Sequence, residues 1–277
     1  MTNQYGFRLS QLIDIVYRAG DLIRDVHFVD EIKEKEGPEN FVTKYDSSVQ
    51  AFLIRELSSA MPNACFLAEE DGMTNTDISN GFAFIIDPID GTTNFICDFH
   101  CSGICVGLSY CGEMIMGAVY NPFREEMFYA EKGKGAFLNG RKLRIDDKST
   151  LEGVIDIGQS APYPSLRNFE FDIAKVLSYH TMDLREVGAA SIAICYVACG
   201  RVVMYTSPKL YAWDYAAASI IVEEAGGVVA GFDGKALNLR SNVTFLATTK
   251  TGLIEFLSLT EETRNTYRNL NIPVVNF

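Results

Sequence analysis

Apolar positions change their period several times along the chain, and each change predicts an element. Leu9, Leu12, Ile13, Val16, Ala19, Ile23 and Val26 recur at helical spacing. The charged stretch from Glu31 to Asn40, with its Gly-Pro pair, reads as a loop or hairpin. Ser47-Ser48-Val49-Gln50 has the form of a capping box and sets a helix start just after Asp46. Val49, Phe52, Leu53 and Leu57 mark the apolar face of that helix, and Pro62 stops it. Phe82-Ala83-Phe84-Ile85-Ile86 is a short unbroken apolar run, the pattern of a strand buried on both faces. Strand-like segments follow at Ile104–Leu108, Ile115–Tyr120 and Glu126–Ala130, and Asn139-Gly140 is a hairpin turn signal. Further on, Ala190–Ala198 reads as helix, Val202–Thr206 as strand, and Tyr215–Ala225 as a helix stopped by Gly226-Gly227. Strands at Val228–Gly231 and Val243–Thr248 precede a helix near Gly252–Leu257. Mixed runs of strands and helices predict an α+β or layered α/β fold rather than a regular βαβ winding.

Composition narrows the class. The 277 residues carry 36 Asp+Glu against 24 Lys+Arg, a formal net charge of −12. An acidic chain is a poor non-specific binder of nucleic acid or anionic lipid, because the phosphate field repels it. Aromatics at 12% are too many for disorder, and a chain of this length can bury a large core. No linker or repeat divides it, which suggests one large domain or two intimate ones. No window reaches the ~18 uninterrupted apolar residues of a membrane span. The start, Met1 to Gly6, has neither a basic nor an apolar leader segment, and the seven cysteines are odd in number. The expectation is a soluble cytoplasmic protein with reduced thiols.

Cys97, Cys101 and Cys105 are spaced C-x3-C-x3-C with His100 between the first two. That spacing matches no common zinc or iron–sulfur pattern. Cys101–Leu108 reads as a buried strand on which Cys101 and Cys105 share a face as small hydrophobes. His27 and His180 stand alone in the sequence.

The chemistry concentrates in Asp87-Pro88-Ile89-Asp90-Gly91-Thr92-Thr93-Asn94-Phe95, directly after the buried apolar run. A hydrophobic strand ending in two carboxylates is expensive unless a cation neutralises them. Asp87 and Asp90 stand three apart across a Pro-containing turn, so both can point into one cavity. Such oxygen ligands suit Mg²⁺. Gly91-Thr92-Thr93-Asn94 can open a short helix whose free N–H groups hold a phosphate, with Gly91 allowing close approach. Metal carboxylates beside a phosphate cradle suit metal-assisted phosphoester hydrolysis. Glu69 sits at the end of a second short apolar segment, and Asp214 precedes an apolar helix as its expected N-cap.

Asp87–Phe95 resembles the first signature of the inositol monophosphatase family, and Trp213-Asp214-Tyr215-Ala216-Ala217-Ala218 with Glu224-Ala225-Gly226-Gly227 resembles the second. Ala68-Glu69-Glu70, Phe41-Val42-Thr43-Lys44-Tyr45-Asp46 and Gly133–Gly140 also match, in family order. The resemblance spans residues from about 8 to beyond 250. It implies a five-layer αβαβα sandwich formed by a single unit over 1–277. Within it, 1–150 is the metal- and phosphate-binding α+β part, and 151–277 is a smaller α/β part carrying Asp214. It also implies a Mg²⁺-dependent, lithium-sensitive phosphomonoesterase, two or three Mg²⁺ per subunit, a small-molecule phosphate substrate and a homodimer. Glu69, Asp87, the Ile89 carbonyl and the Thr92 hydroxyl resemble the ligands of the water-activating metal. Asp87, Asp90 and Asp214 resemble those of a second. Thr92 with Asp46 resembles the pair that deprotonates the water. Gly91, Thr92, Thr93, Ala190, Ser207 and Lys209 fall at phosphate- or substrate-contacting positions, and Lys35 falls near the family's flexible lysine.

One position departs from the inositol-specific pattern. Ser207 stands where those members carry a glutamate, and Lys209 adds a cation nearby. This leaves room for other sugar phosphates, fructose 1,6-bisphosphate, or NADP and nucleotide phosphates. A haloacid-dehalogenase-type phosphatase would use D-x-D-G-T with an aspartyl nucleophile; here the spacing is one residue longer. A non-catalytic, metal-responsive interaction protein is the alternative of another class.

Overall fold

The structure, a computed structural model, describes residues 6–27, 29, 32–34, 41–70, 72–158, 163–239 and 243–269. The chain begins with α1 (Leu9–Gly20), the short β1 (Lys33–Glu34) and β2 (Phe41–Val42), then α2 (Lys44–Ala60) and β3 (Cys65–Ala68). Next come β4 (Phe82–Asp90), α3 (Thr92–Ile96), β5 (Gly103–Tyr110), β6 (Glu113–Asn121), β7 (Glu126–Glu131), β8 (Gly135–Leu138) and β9 (Arg141–Lys142). The rest comprises β10 (Val154–Ile157), α4 (Pro164–Ser178), β11 (Asp183–Arg185), α5 (Ala190–Ala198), β12 (Met204–Leu210) and α6 (Ala212–Glu224). It closes with β13 (Val228–Ala230), β14 (Val243–Thr248), α7 (Lys250–Leu259) and α8 (Glu261–Asn269).

Two large sheets organise these elements. Strands β3 to β9 form a seven-stranded sheet in sequence order, antiparallel except for the parallel pair β3–β4. The second sheet has the order β11-β10-β12-β14-β13 and is mixed. Alternation along the strands shows how the layers stack. On β4, Phe84 and Ile86 face α1 and α2, whereas Ala83 and Ile85 face α5 and α6. On β14, Phe245 and Ala247 join that same α5/α6 core, whereas Leu246 turns outward to α4 and α7. Both central strands are therefore buried on both faces, and the order of layers is helix, sheet, helix, sheet, helix. This is the expected αβαβα sandwich.

Several elements differ from their sequence expectation. Helix α2 starts at Lys44, not after Asp46: Thr43 is the N-cap, and Asp46 closes the capping box from the third helical position. Helix α1 ends at Gly20, and residues 21–25 form turns that still bury Ile23. Strand β12 runs on to Leu210, so Ser207 and Lys209 lie in a strand rather than a loop. The sequence pattern left β10, α4, β11 and α8 unassigned. Buried carboxylates disguise two of them, since Asp156 interrupts the apolar run of β10 and Glu170 sits on the inner stripe of α4. Cys101 precedes β5 rather than lying on it, yet it joins Cys105 in the α5/α6 core as a free thiol. His27 does not stand alone: its Nδ1 is 3.8 Å from an Asp98 carboxylate oxygen. Among the described residues no helix is long and apolar enough to cross a membrane.

Candidate active site

The site is built around an irregularity at the end of β4. Pairing with β5 is regular up to Asp87↔Cys105 and resumes at Asp90↔Gly103, with the register shifted between them. Asp87 keeps the parity of Ala83 and Ile85 and so belongs to the α5/α6 side of the sheet. Regular alternation would put Ile89 on that side too. Instead Ile89 is packed with Phe84 and Ile86 in the α1/α2 core. The bulge thus switches parity once, and Asp90 follows on the same side as Asp87. The Pro-containing segment, expected as a turn, is a bulged strand. Asp87 and Asp90 are 2% and 8% exposed.

The chain then reverses at Gly91, which caps α3 with φ 80°. A Cβ at this position would meet the Ala189 Cβ at 2.8 Å, the Gly188 carbonyl oxygen at 3.1 Å and the Cys101 carbonyl oxygen at 3.2 Å. Left-handed backbone and close packing both demand glycine. Asn94, in the middle of α3, fixes the helix, its amide donating to the carbonyls of Cys101 and Val187 at 2.8 and 2.7 Å.

Thr92 sits at the first turn of α3, with Thr93 exposed beside it. The Thr92 hydroxyl is 3.1 Å from the Ile89 carbonyl oxygen and 3.4 Å from Asp46 Oδ1. Asp46 is buried at the start of α2, and its Oδ2 accepts both the Thr43 N–H at 2.8 Å and the Thr43 hydroxyl at 2.6 Å. The cap of α2 therefore orients one carboxylate oxygen and leaves the other facing Thr92. The sequence pairing of Thr92 with Asp46 is reproduced in space.

Two more acids approach from other elements. Glu69 follows β3, held by its N–H to the Ile86 carbonyl at 3.2 Å. Asp214 is not the N-cap of α6; Tyr211 is. Asp214 occupies the third helical position, and its Oδ2 accepts the Tyr211 N–H at 2.8 Å. Burial pushes the Asp214 carboxyl well above its ordinary range, and the charges of Glu69 and Asp90 push it further. Burial likewise raises Asp90, against hydrogen bonds that favour its charged form.

Those bonds expose a residue the sequence reading missed. Asp90 accepts the Ala190 N–H at 3.1 Å, the Ser191 N–H at 2.7 Å and the Ser191 hydroxyl at 2.5 Å. The carboxylate thus sits on the N-terminus of α5 and satisfies its open N–H groups. Ser191 in turn accepts from the Cys105 thiol at 2.9 Å. The only signal in the sequence was a serine in the first turn of a predicted helix. Ala190, expected at the substrate, spends its N–H on Asp90.

Ser207 is buried, and its hydroxyl donates to the Lys209 carbonyl at 3.2 Å. Lys209 is 9% exposed, with Nζ over the Tyr163 and Tyr211 rings at 3.8 and 4.8 Å, and its charge is felt by Asp214. Lys35 lies outside the described residues.

The fold and the sequence are similar to those of known proteins. The inositol monophosphatase family model matches residues 8–264. An inositol-1-monophosphatase from Mesorhizobium japonicum is 32% identical over 231 residues, covering 82% of this chain and 86% of that protein. A Thermotoga maritima protein named fructose-1,6-bisphosphatase/inositol-1-monophosphatase is 33% identical over 233 residues, covering 83% and 87%. The solved structure of a Thermotoga maritima IMPase superposes with a TM-score of 0.83 at 32% identity, covering 94% of this chain and 99% of that one.

Proposed function

The chain belongs to the inositol monophosphatase family and is a phosphomonoester hydrolase, and from that premise we propose that it hydrolyses inositol 1-phosphate or a related sugar phosphate with Mg²⁺ as its resident cation. The observation that carries the reading is the bulge that turns the buried Asp87 and Asp90 to one side of the sheet, with the charges of Glu69 and Asp90 adding to the burial that raises Asp214. Carboxylates that repel one another at a strand end, a loop and a helix start call for a cation between them. The donor set fits the metal-dependent chemistry of the family, because it is made of carboxylate, carbonyl and hydroxyl oxygens alone. Glu69, Asp87, the Ile89 carbonyl and the Thr92 hydroxyl would hold one Mg²⁺, and Asp87, Asp90 and Asp214 a second; the full complement is two or three per subunit. When bound, the cations supply Lewis-acid polarisation of the phosphoryl group and acidify a water.

The remaining work falls to the chain itself. Thr92 takes a proton from the attacking water as its own hydroxyl proton passes to Asp46 Oδ1, 3.4 Å away. Thr43 holds Asp46 in place for that transfer. The first-turn N–H groups of Gly91, Thr92 and Thr93 point away from the helix and receive the phosphate oxygens. No side-chain nucleophile is required, so no aspartyl-phosphate forms at Asp87.

Lys209 supports a second reading of the substrate. Its ammonium, sandwiched between two tyrosine rings and sensed by Asp214, would suit a second anionic group such as the other phosphate of a sugar bisphosphate. A phosphate-release assay with Mg²⁺ on inositol 1-phosphate, fructose 1,6-bisphosphate and NADP⁺ separates the two. Turnover is expected to be highest on the monophosphate, and Asp214→Asn should lower kcat by at least about a hundredfold with the fold retained. Near-normal turnover in that variant contradicts the cation assignment, and preference for the bisphosphate transfers the conclusion to the second reading.

A further inference from the structure

Two of the three histidines in the chain meet at one aspartate, away from the carboxylate pocket in chemistry and in accessibility. His27 follows the turns after α1. Asp98 and His100 belong to the segment between α3 and β5. Asp98 Oδ1 is 2.9 Å from His100 Nε2 and 3.8 Å from His27 Nδ1. One ligand atom from each of the three residues lies within 4.8 Å of the other two. All three side chains are open to solvent, at 61% for His27, 44% for Asp98 and 51% for His100.

We propose that His27, Asp98 and His100 form a surface site for a borderline divalent cation of the Zn²⁺ type. Nitrogen and carboxylate ligands stand about 2.0–2.2 Å from Zn²⁺, so in tetrahedral or octahedral geometry they lie roughly 3.0–3.6 Å from one another. The two separations at Asp98 bracket that interval. Two neutral imidazoles and one carboxylate make a donor set that selects Zn²⁺, Ni²⁺ or Cu²⁺ over Mg²⁺, the reverse of the all-oxygen pocket. The pieces are held in place. The His100 ring stacks on Phe123 with centroids 5.3 Å apart and planes 4° from parallel. Asp98 and His100 both adopt left-handed backbone, with φ 56° and 55°. Cys97, adjacent in the chain, is not part of the group.

A cation here would tie the turn after α1 to the segment that leaves α3, the helix that begins with Thr92 and Thr93. The site does not depend on the Mg²⁺ assignment above.

The test is calorimetric titration of the full chain with ZnCl₂ in excess Mg²⁺, which keeps the oxygen pocket filled. Binding of one Zn²⁺ per chain is expected, weakened at least tenfold in His27→Gln/His100→Gln and in the single variant His27→Gln. Phosphate release with Mg²⁺ alone should be unchanged in both variants. Imidazole NMR signals of His27 and His100, but not His180, should move on adding Zn²⁺. Equal Zn²⁺ affinity in wild type and the double variant overturns the proposal, as does a shift confined to His180. If the double variant does not fold, the single variant and the NMR signals of the wild type decide the matter alone.

Discussion

A buried carboxylate raises the free energy of the folded state unless its charge is answered, and Asp156 and Glu170 are two such groups outside the proposed site. Asp156 on β10 and Glu170 on α4 are 0% and 1% exposed, and one oxygen of each has no hydrogen-bond partner. Burial pushes Asp156 up to about 7 and Glu170 up to about 8. Both folded-state values lie above the ordinary ones, so the unfolded chain ionises first as pH rises. The stability these groups contribute is present in full at acid pH, below their unfolded values, and is lost through pH 7 and 8. Thermal melts should therefore show these groups lowering Tm from about pH 5 to about pH 8 and no further above that, with Glu170→Gln flattening the fall by several degrees. Identical pH slopes in wild type and variant would contradict the buried-acid account. The Thr206 hydroxyl donates to Glu170 at 2.8 Å and links that residue to the strand that carries Ser207.

At the scale of elements, helix caps and sheet contacts set the aim of the groups proposed for catalysis. Thr43 is both the N-cap of α2 and the holder of Asp46. Thr43→Val keeps the shape and removes the hydroxyl. It should cost about 1 kcal/mol of stability, and kcat should fall roughly tenfold while KM changes little, because Asp46 loses its orientation rather than substrate contacts. Thr43→Ser should restore most of the rate; a variant with normal kcat would remove Asp46 from the proton path. Helix α6 depends on a different device. Its run of alanines lies so close to β6 that a Cβ on Gly117 would stand 2.3 Å from the Ala217 carbonyl oxygen. Gly117→Ala must therefore displace α6, which carries Asp214. Overpacking of this kind costs about 1–3 kcal/mol. The measurable result is a Tm several degrees lower together with a reduced kcat, and an unchanged Tm would show that the helix yields freely.

At the scale of the molecule, the site joins parts that are distant in the chain. Asp46, Glu69, Asp87 and Asp90 come from the half with the seven-stranded sheet, whereas Ser191 and Asp214 come from α5 and α6 beyond residue 150. The core between the sheets contains residues from both halves. Part of the net charge of −12 is gathered in this junction, so divalent cations should act on the whole fold as well as on the reaction. Mg²⁺ at 100 times its Kd would add about 2.7 kcal/mol of stability, a Tm rise of roughly 5–10 °C for a chain of this size. Chelation with EDTA should reverse that rise and abolish phosphate release, and Asp214→Asn should lose most of the Mg²⁺ response. Full activity after exhaustive chelation would refute the cation requirement.

The sequence by itself determined what local chemistry controls. The apolar run Phe82–Ile86 specified a strand buried on both faces, and the Asp87–Phe95 string specified carboxylates followed by a helix start, because these depend on residue order over a few positions. Ordered motifs also carried the pairing of Thr92 with Asp46. Tertiary structure decided what depends on neighbours far away in the chain. It showed that a bulge, not a turn, aligns Asp87 with Asp90, and that the close walls around Gly91 are the Ala189 methyl and the Gly188 and Cys101 carbonyls. It placed Asp90 on the N-terminus of α5 and drew Ser191 into the site. It buried Asp156 and Glu170, whose polarity had hidden β10 and α4 from a periodicity reading. It also brought His27 to Asp98 and His100, which no local pattern could reveal. Burial and long-range contact are properties of the packed layers, and the cost of a charge or the partner of a hydroxyl is fixed only once those layers have closed around it.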